Sequence, residues 1–317
     1  MKGGTLLITG ATGFTGRHAA RHFVEAGLQV VALTRREDEA LSQLGVQVVV
    51  CDLLSATDVE RVINHIQPHY ALHLAGMNAV PDSWSDPVLA FQINVVATLH
   101  LLNALRVVPQ CRILIATSKL KAPVHPSFIP PHPYAFSKSL QEVVALGWSN
   151  LFQQDICLVE PSNLVGPGAS NGLCGLLGRY TVQCERRASG ADIADATGSR
   201  GAIKPFYLSS RSALRDFLDV RDAVAAYEMV FEHGIRGNTY VVESRVKRSL
   251  GSVAELFIRS ALVSIQVEIG NEQEQIVITP PMEEEDRATP HAWGWKPLRS
   301  FEHSVSDILN YYRHEWR

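Results

Sequence analysis

The chain has 317 residues, 46% of them hydrophobic and 19% charged, which is enough apolar material for one large domain or two closely joined lobes around a substantial core. Twenty-nine basic against 32 acidic residues leave a formal charge of −3 with the signs interspersed, which excludes the electrostatic footprint of a nucleic-acid or anionic-membrane binder and points to a small-molecule partner. Cys51, Cys111, Cys157, Cys174 and Cys184 are an odd, scattered set without a CxxC pair, so buried thiols in a reducing compartment are expected rather than a disulfide framework.

The first apolar run, from Thr5 to Ile8, is far shorter than a leader core or the ~20 residues of a membrane span, and a cytoplasmic protein without membrane segments is expected. Short β-branched runs then alternate with amphipathic ones: strand 5–9, helix 14–26, strand 28–34, helix 36–44, strand 46–51, helix 55–66 and strand 69–75. A long helix over about 87–107, strand 111–117, helix 134–152 and strand 155–160 continue the series, with the Pro-rich stretch 123–133 as a loop. Such alternation requires crossover connections, so the expected class is α/β, a Rossmann-like doubly wound parallel sheet with helices on both faces.

Beyond Pro161 the pattern loosens. A helix near 173–187, an irregular stretch 189–214, a helix near 221–233, strand 238–242, helix 250–262, strand 265–269 and a last helix 301–313 read as a smaller C-terminal lobe over the carboxyl ends of the strands, where open parallel sheets bind ligands. The expected division is 1–160 for a dinucleotide domain that also carries the catalytic pair and 161–317 mainly for substrate, with some segments returning to the first domain and the active cleft between the two.

Strand 5–9 runs directly into Thr9-Gly10-Ala11-Thr12-Gly13-Phe14-Thr15-Gly16 as a helix begins. Gly10 suits the tight turn, Gly13 the close approach of a pyrophosphate and Gly16 the packing of helix on sheet, while the helix N-terminus offers N–H groups and a positive dipole. Where an NAD enzyme places an acidic residue for the ribose 2′-hydroxyl, this chain has Thr34, then Arg35 and Arg36, so NADP(H) is favoured over NAD(H). Asp52, just past the third strand, suits the adenine amino group or an ordinary turn.

Tyr134 and Lys138, four apart at the start of a predicted helix, project from one face. An ammonium beside a phenol favours the phenolate and brings the group toward acid–base work at neutral pH. Strand 111–117 ends in Ala116-Thr117-Ser118, placing two hydroxyls where a substrate carbonyl needs a hydrogen bond, Thr117 being the first choice and Ser118 the second.

With these pieces in place the chain resembles the extended short-chain dehydrogenase/reductases, the nucleotide-sugar epimerases, dehydratases and reductases. The resemblance is carried by TGATGFTG at 9–16, HLAG at 73–76, the run ending at Asn94, YAFSK at 134–138, PSNLVGPG at 161–168, RDFLDVRD at 215–222 and GWKP at 294–297. Within that family VPDSWSDP, NLVGPG and RDFLDVRD are most similar to phrases of the GDP-4-keto-6-deoxy-mannose reductases.

The resemblance implies Tyr134 as proton donor or acceptor, Lys138 on the nicotinamide ribose and lowering the tyrosine's pKa, and Thr117 on the reacting oxygen. It implies cofactor contacts from Thr12, Phe14, Thr15, Leu53, Leu74, Ala75, Gly76, Asn94 and Pro161 besides the glycines. It assigns Asn163 to the sugar nucleotide and Arg215 to its diphosphate, with Val80, Asn171 and Lys204 as further substrate contacts, and it implies a homodimer formed as a four-helix bundle by helices 87–107 and 134–152. The activity implied is NADPH-dependent reduction of a nucleotide 4-keto-6-deoxysugar. C4 epimerisation with a retained dinucleotide, or a non-catalytic dinucleotide sensor, stands as the alternative.

Several positions depart from the family's pattern. Thr117-Ser-Lys119-Leu-Lys121 lacks the acidic residues that 4,6-dehydration needs, the loop to Tyr134 is short, Glu160 stands where an arginine usually precedes the proline, and 189–214 is longer than in the reductases. Lys119, Lys121 and Lys204 read as surface lysines ahead of phosphate ligands. No metal site is expected: His18 and His22 are four apart on the first helix but without an HExxH arrangement. His132 is read as a solvent-exposed loop histidine ahead of a substrate contact, Glu283 to Asp286 as a solvated face, and Trp293 with Trp295 as packing of the smaller lobe.

Overall fold

The computed structural model describes residues 1, 3–121, 129–190, 203–270 and 288–315. In chain order the elements are β1 (Thr5–Thr9), α1 (Phe14–Glu25), β2 (Gln29–Thr34), α2 (Glu39–Gln43), β3 (Gln47–Val50), α3 (Ala56–Ile66), β4 (Tyr70–His73), α4 (Val80–Ser85), α5 (Pro87–Phe91), α6 (Ala97–Ala104), β5 (Arg112–Ala116), α7 (Pro133–Phe152) and β6 (Asp155–Pro161). They continue with β7 (Asn163–Val165), α8 (Leu173–Ala188), β8 (Phe206–Leu208), β9 (Leu214–Asp219), α9 (Val220–His233), β10 (Thr239–Val242), β11 (Lys247–Ser249), α10 (Leu250–Ser260), β12 (Val267–Ile269) and α11 (Phe301–Glu315).

The chain divides into two compact units. The first comprises Met1–Ser162, Arg221–Val242 and the described part of 279–296. Its centre is a seven-stranded sheet in the order β10-β6-β5-β4-β1-β2-β3, parallel throughout. Alternate strand residues explain the two layers of helix. Leu7, Val31, Leu33, Ile113, Ile115, Ile156 and Leu158 share one apolar cluster with Val59 and Ile63 of α3, Leu101 and Leu102 of α6 and Ala145 of α7. Leu6, Ile8, Val30, Ala32 and Leu114, of the opposite parity, are buried as well, and on that side α1 and α9 meet where Phe23 and Phe231 pack edge to face. Strands buried on both faces belong to a doubly wound sheet.

Two segments beyond 161 return to this unit: β10 pairs with β6, and Trp295 Nε1 donates to the Asp222 carbonyl of α9 at 3.2 Å. Trp293 packs tilted against Tyr240 and His233. Both tryptophans therefore pack the first unit, not the smaller lobe to which their place in the chain assigned them.

The helix expected over 87–107 is continuous but not uniform. It passes through a π-turn at Gln92–Val96 and closes in a 3₁₀ turn at Leu105–Val107. Pro87–Val107 has the length and apolar character to cross a membrane, yet it packs against α3 and α7 and carries the buried polar residues Asn94 and Thr98.

The second unit comprises Asn163–Val220, the described part of 243–278 and Pro297–Arg317 as far as residue 315. It holds a three-stranded sheet β11-β9-β7 and the parallel pair β12-β8, with α8, α10 and α11 around a core of Leu177, Val182, Phe217, Val253, Phe257 and Ile308. The stretch expected to be irregular over 189–214 carries β8, while 191–202 lies outside the described residues, as do part of the Pro-rich loop (122–128) and the acidic run 283–286.

Candidate active site

The strand order reverses between β1 and β4, the position at which open α/β sheets bind ligands beyond the strands' carboxyl ends. At the end of β1, Gly10 has φ +71°, and a Cβ there would stand 2.6 Å from the backbone N of Ala75. A Cβ on Gly16 would stand 2.1 Å from the Gly10 carbonyl oxygen, so only glycine lets α1 start this close to the turn. Gly13 is exposed and N-caps α1 without a side-chain hydrogen bond, leaving the first-turn N–H groups and the dipole aimed outward, with Thr12 exposed and Phe14 and Thr15 half-buried beside it. This uncapped cradle fits a dinucleotide pyrophosphate.

Leu74 N–H donates to Thr9 O, and Ala75 N–H donates to Thr9 Oγ1 at 3.2 Å, which lays the 74–76 segment alongside the turn. At the end of β2, Arg35 and Arg36 are exposed and the Thr34 hydroxyl donates to the Arg36 carbonyl at 2.7 Å. Nearby, the Arg17 guanidinium hydrogen-bonds Asp38 at 2.6 Å and holds its carboxyl below the usual range. Asp52 Oδ1 accepts the Leu54 N–H at 3.0 Å and so closes a turn, and the Leu53 carbonyl accepts His100 Nδ1–H at 3.0 Å. Pro161 ends β6 opposite Val242.

Helix α7 brings the candidate pair, Tyr134 and Lys138, to the ends of β4 and β5. Pro133 occupies its first turn, His132 accepts the Ala135 N–H at Nδ1 (2.9 Å) as N-cap, and the Tyr134 N–H donates to Ser83 Oγ at 3.1 Å. Ser83 in turn donates to the carbonyl of Val80 at 2.7 Å, so α4 is fastened beneath the tyrosine. His132 is therefore not the solvent-exposed loop histidine expected: half-buried, it caps the helix, and its ring stacks on Tyr134 at 5.9 Å.

Tyr134 and Lys138 are both buried. Burial raises the phenol's pKa, and the hydrogen-bonded Ser118 hydroxyl pulls it back. Lys138 itself is lowered to about 8 by burial, its Nζ donating to Ala116 O at 2.9 Å and to Gln141 Oε1 at 2.7 Å. The expectation that Lys138 pulls the tyrosine down is therefore corrected: the ammonium is committed to the end of β5 and to α7, and Ser118 is the group that acts on the phenol. The preference between the two hydroxyls is corrected too. Thr117 Oγ1 donates to the Val159 carbonyl at 3.1 Å and is tied into the sheet, so Ser118 is the hydroxyl at the phenol.

Asn94 proves to be a bridge. Its Oδ1 accepts Met77 N–H at 2.8 Å and its Nδ2 donates to Met77 O at 3.2 Å and to Ser137 Oγ at 2.8 Å, which joins the 74–77 segment to α7 across the π-turn. A Cβ on Gly76 would stand 3.0 Å from Asn94 Oδ1 and 3.8 Å from Lys138 Nζ, so the glycine lets this backbone lie against the lysine. His73, Thr98 and Gln141, which the sequence reading did not single out, complete the buried polar set behind Lys138. The signal was available: His73 opens HLAG, and Gln141 lies three residues after Lys138 on the same helix face.

The remaining substrate candidates lie in the second unit. Asn163 is exposed with Nδ2 donating to Asp216 O at 2.9 Å, Arg215 is half-buried with Nη1 donating to Leu214 O at 2.8 Å, Lys204 is exposed, and Asn171 accepts from Arg179 at 3.5 Å. Lys121 is held by Glu142 and, at 2.6 Å, by the buried Glu160. The acidic residue in place of the usual arginine thus has its own cation. His18 packs edge-on against Phe14, and His22 pairs with Glu228 at 2.7 Å. Among the described residues the five cysteines are free, four of them buried.

The pattern of the NAD dependent epimerase/dehydratase family matches residues 6–242, about three quarters of the chain and the whole of the site just described. The chain belongs to that family. Among relatives in it, a GDP-6-deoxy-D-mannose reductase of Pseudomonas aeruginosa is 25% identical over 316 residues, covering 96% of each chain. A CDP-paratose 2-epimerase of Salmonella typhi is 26% identical over 80% of this chain and 82% of its own. The solved structure of RMD from Pseudomonas aeruginosa complexed with NADPH superposes with a TM-score of 0.75 at 25% identity, covering 98% of this chain and 99% of that one. UDP-glucose 4-epimerase of Thermus thermophilus with NAD shares the fold at TM-score 0.77 and 19% identity, over 98% and 99% of the two chains. The family's members include nucleotide-sugar reductases, epimerases and dehydratases.

Proposed function

We propose that this chain is an NADPH-dependent reductase of a nucleotide-activated 4-keto-6-deoxysugar of the GDP-4-keto-6-deoxyhexose kind, returning the 6-deoxysugar. The observation that carries the reading is the state of Tyr134. Burial keeps its phenol protonated at neutral pH while the Ser118 hydroxyl touches it, an arrangement suited to giving a proton to an oxygen rather than taking one. Near-full-length similarity to a GDP-6-deoxy-D-mannose reductase supports the same choice.

In this reading Ser118 holds the substrate's carbonyl oxygen, Tyr134 delivers its proton there as the oxygen becomes an alkoxide, and Lys138 secures the nicotinamide ribose. NADPH, when bound, supplies the hydride. Gly10, Gly13 and Gly16 hold the pyrophosphate, and the exposed Arg35 and Arg36 take the 2′-phosphate. The first unit is assigned to the dinucleotide and the second to the sugar nucleotide, through Asn163 and Arg215. The functional form is a cytoplasmic homodimer joined over 87–107 and 133–152, where Val88, Val96, Val143 and Leu151 expose apolar side chains. Light scattering then returns about twice the 34.9 kDa chain mass.

The deciding assay adds GDP-4-keto-6-deoxymannose to enzyme and NADPH. Stoichiometric loss of NADPH absorbance is expected, and Tyr134→Phe slows it by about 10²–10⁴-fold with dinucleotide affinity unchanged. The family tie to a CDP-paratose 2-epimerase supports epimerisation as the second reading. Sugar interconversion without net consumption of NADPH selects it.

A further inference from the structure

Behind Lys138 runs a column of buried polar groups whose hydrogen bonds have only one consistent direction. Thr98 Oγ1 donates to Asn94 O at 2.8 Å and also lies 2.9 Å from both Gln141 Nε2 and His73 Nε2, so it must accept from those two nitrogens. His73 is then the Nε2–H tautomer, and its Nδ1, 2.7 Å from Thr9 Oγ1, accepts the Thr9 hydroxyl. Thr9 Oγ1 in turn accepts the Ala75 N–H. Because Gln141 spends its NH₂ on Thr98, its carbonyl oxygen must face Lys138 Nζ, as it does at 2.7 Å. The reversed amide would set NH₂ against an ammonium. His73, Asn94, Thr98 and Gln141 are fully buried, and every member of the column is neutral when satisfied in this way.

We propose that Gln141 is the positioning residue of Lys138, its Oε1 fixing the ammonium at the end of a neutral column that runs Thr9–His73–Thr98–Gln141 from the glycine turn. An ammonium has three donors. Ala116 O and Gln141 Oε1 engage two of them, and the third is left to point at the ligand side. The column also starts at Thr9 and Ala75, the residues that shape the pyrophosphate turn, so the two halves of the dinucleotide site share one rigid support.

The neutrality of Gln141 matters as much as its reach. A glutamate in its place would pair with the ammonium and stabilise its charge strongly, whereas an amide holds it through a dipole and stabilises the charge far less. The groups that face Lys138 agree. On α7, Tyr134 lies one turn earlier and is itself protonated; on β4, His73 is kept neutral by burial and, secondarily, by the lysine's charge; the ends of β5 and of the 74–76 segment offer backbone only. Glu142, next along α7, and Glu160 on β6 are held by Lys121. Burial without a counter-charge is what brings Lys138 down to about 8.

The inference takes the role of Lys138 from the proposed function, so its test includes a readout that needs no chemistry. With only seven lysines in the chain, ¹³C-labelling the lysine side chains gives a spectrum in which Lys138 is assigned by its loss in Lys138→Met. In the full-length wild type its signal titrates well below the other six, and in Gln141→Glu the midpoint moves up by about one pH unit or more. Gln141→Leu is expected to lose about tenfold or more in kcat with the sugar KM little changed, while Gln141→Glu keeps most of kcat and carries the alkaline limb of the pH profile upward with the lysine. Should the leucine variant not fold, Thr98→Val, which removes the anchor of Gln141 together with the bonds of Thr98 to His73 and Asn94 while leaving Gln141 itself in place, shifts the same limb and weakens NADPH binding. A Lys138 midpoint that does not move in Gln141→Glu overturns the inference, as does wild-type kcat and pH profile in both Gln141→Leu and Thr98→Val. Failure of wild-type protein to bind or oxidise NADPH instead removes the reductase reading, and the lysine titration still decides the position of Gln141.

Discussion

Thr117 and Ser118 are adjacent in the chain and chemically alike, yet their hydroxyls meet different partners just past the end of β5. Thr117 Oγ1 bonds to the Val159 carbonyl of the neighbouring strand, whereas Ser118, one residue past the strand's last ladder bond, reaches Tyr134. The choice between them was not legible in sequence, because both are hydroxyls at a strand end and only the register of β5 on β6 separates them. Ser118→Ala is accordingly expected to lower kcat by about 10- to 100-fold. Thr117→Val removes one neutral hydrogen bond, costing about 1 kcal/mol of stability, and leaves kcat within a few-fold. Steady-state kinetics on both variants with the 4-keto sugar, beside urea melts, decide it, and a larger kinetic loss in Thr117→Val would return the role to the threonine. The assignment of Arg35 and Arg36 to a 2′-phosphate rests on chemistry alone, since two cations follow Thr34 with no carboxylate at the strand end. Removing either by alanine is expected to weaken NADPH about tenfold and NADH hardly at all, measured by dinucleotide titration. Equal losses for the two dinucleotides would mean that neither arginine meets the 2′-phosphate.

Helix α7 was placed almost to the residue by its apolar pattern, and Pro133 in its first turn is an ordinary start signal. Its cap was not legible, because histidine is outside the usual Ser, Thr, Asp and Asn set. His132 serves only while Nδ1 is an acceptor, so the cap requires the neutral ring, and burial lowers its pKa from the ordinary histidine value. The sign follows from that direction. Above the unfolded pKa near 6.5 the cap is intact, and its contribution is lost as pH falls below that value toward the lowered folded one. The first turn it holds carries Tyr134, so an acid limb in kcat is expected from the same ring. His132→Asn keeps an acceptor that does not titrate here and should flatten that limb, while His132→Ala costs about 1 kcal/mol at neutral pH and progressively less as the wild-type cap is itself lost in acid. Denaturation and kcat followed from pH 7.5 to 5 in the two variants separate the outcomes; a limb unchanged in His132→Asn assigns it to another group. The π-turn at Gln92–Val96 was hidden for a different reason. The helix pattern continues through it, and the three buried bonds that Asn94 makes within it, to Met77 and Ser137, are set by tertiary partners outside any local window.

At the scale of the molecule, period and punctuation disclosed the alternating strands of the first unit, because each crossover needs a helix and each buried strand needs β-branched residues on both faces. Which unit a late segment joins was less visible: β10 completes the large sheet and Trp295 bonds Asp222, although both follow Pro161 in the chain. Such returns depend on partners about 70 to 80 positions away, which no local window contains. The large unit also carries a stability term tied to pH. His73 is fully buried at the end of β4 and satisfied only as the neutral tautomer, with its pKa lowered to about 3 by burial and, secondarily, by the charge of Lys138. An unfolded chain takes up this proton near pH 6.5, while the fold refuses it until about pH 3. Stability is therefore complete above 6.5 and falls as the pH drops, by about 1.4 kcal/mol per unit from this one residue. His73→Asn offers a donor and an acceptor of similar reach without a titration in this range, so it begins less stable but should decline more slowly. Urea unfolding of both proteins at pH 7, 6 and 5 isolates the term, because His132 and the remaining groups contribute to each alike. The gap between wild type and variant is expected to narrow by about 2 kcal/mol over that span. Parallel stability curves would show that His73 is protonated in the fold, and with it that the Thr9–His73–Thr98 column has a different polarity from the one its distances impose.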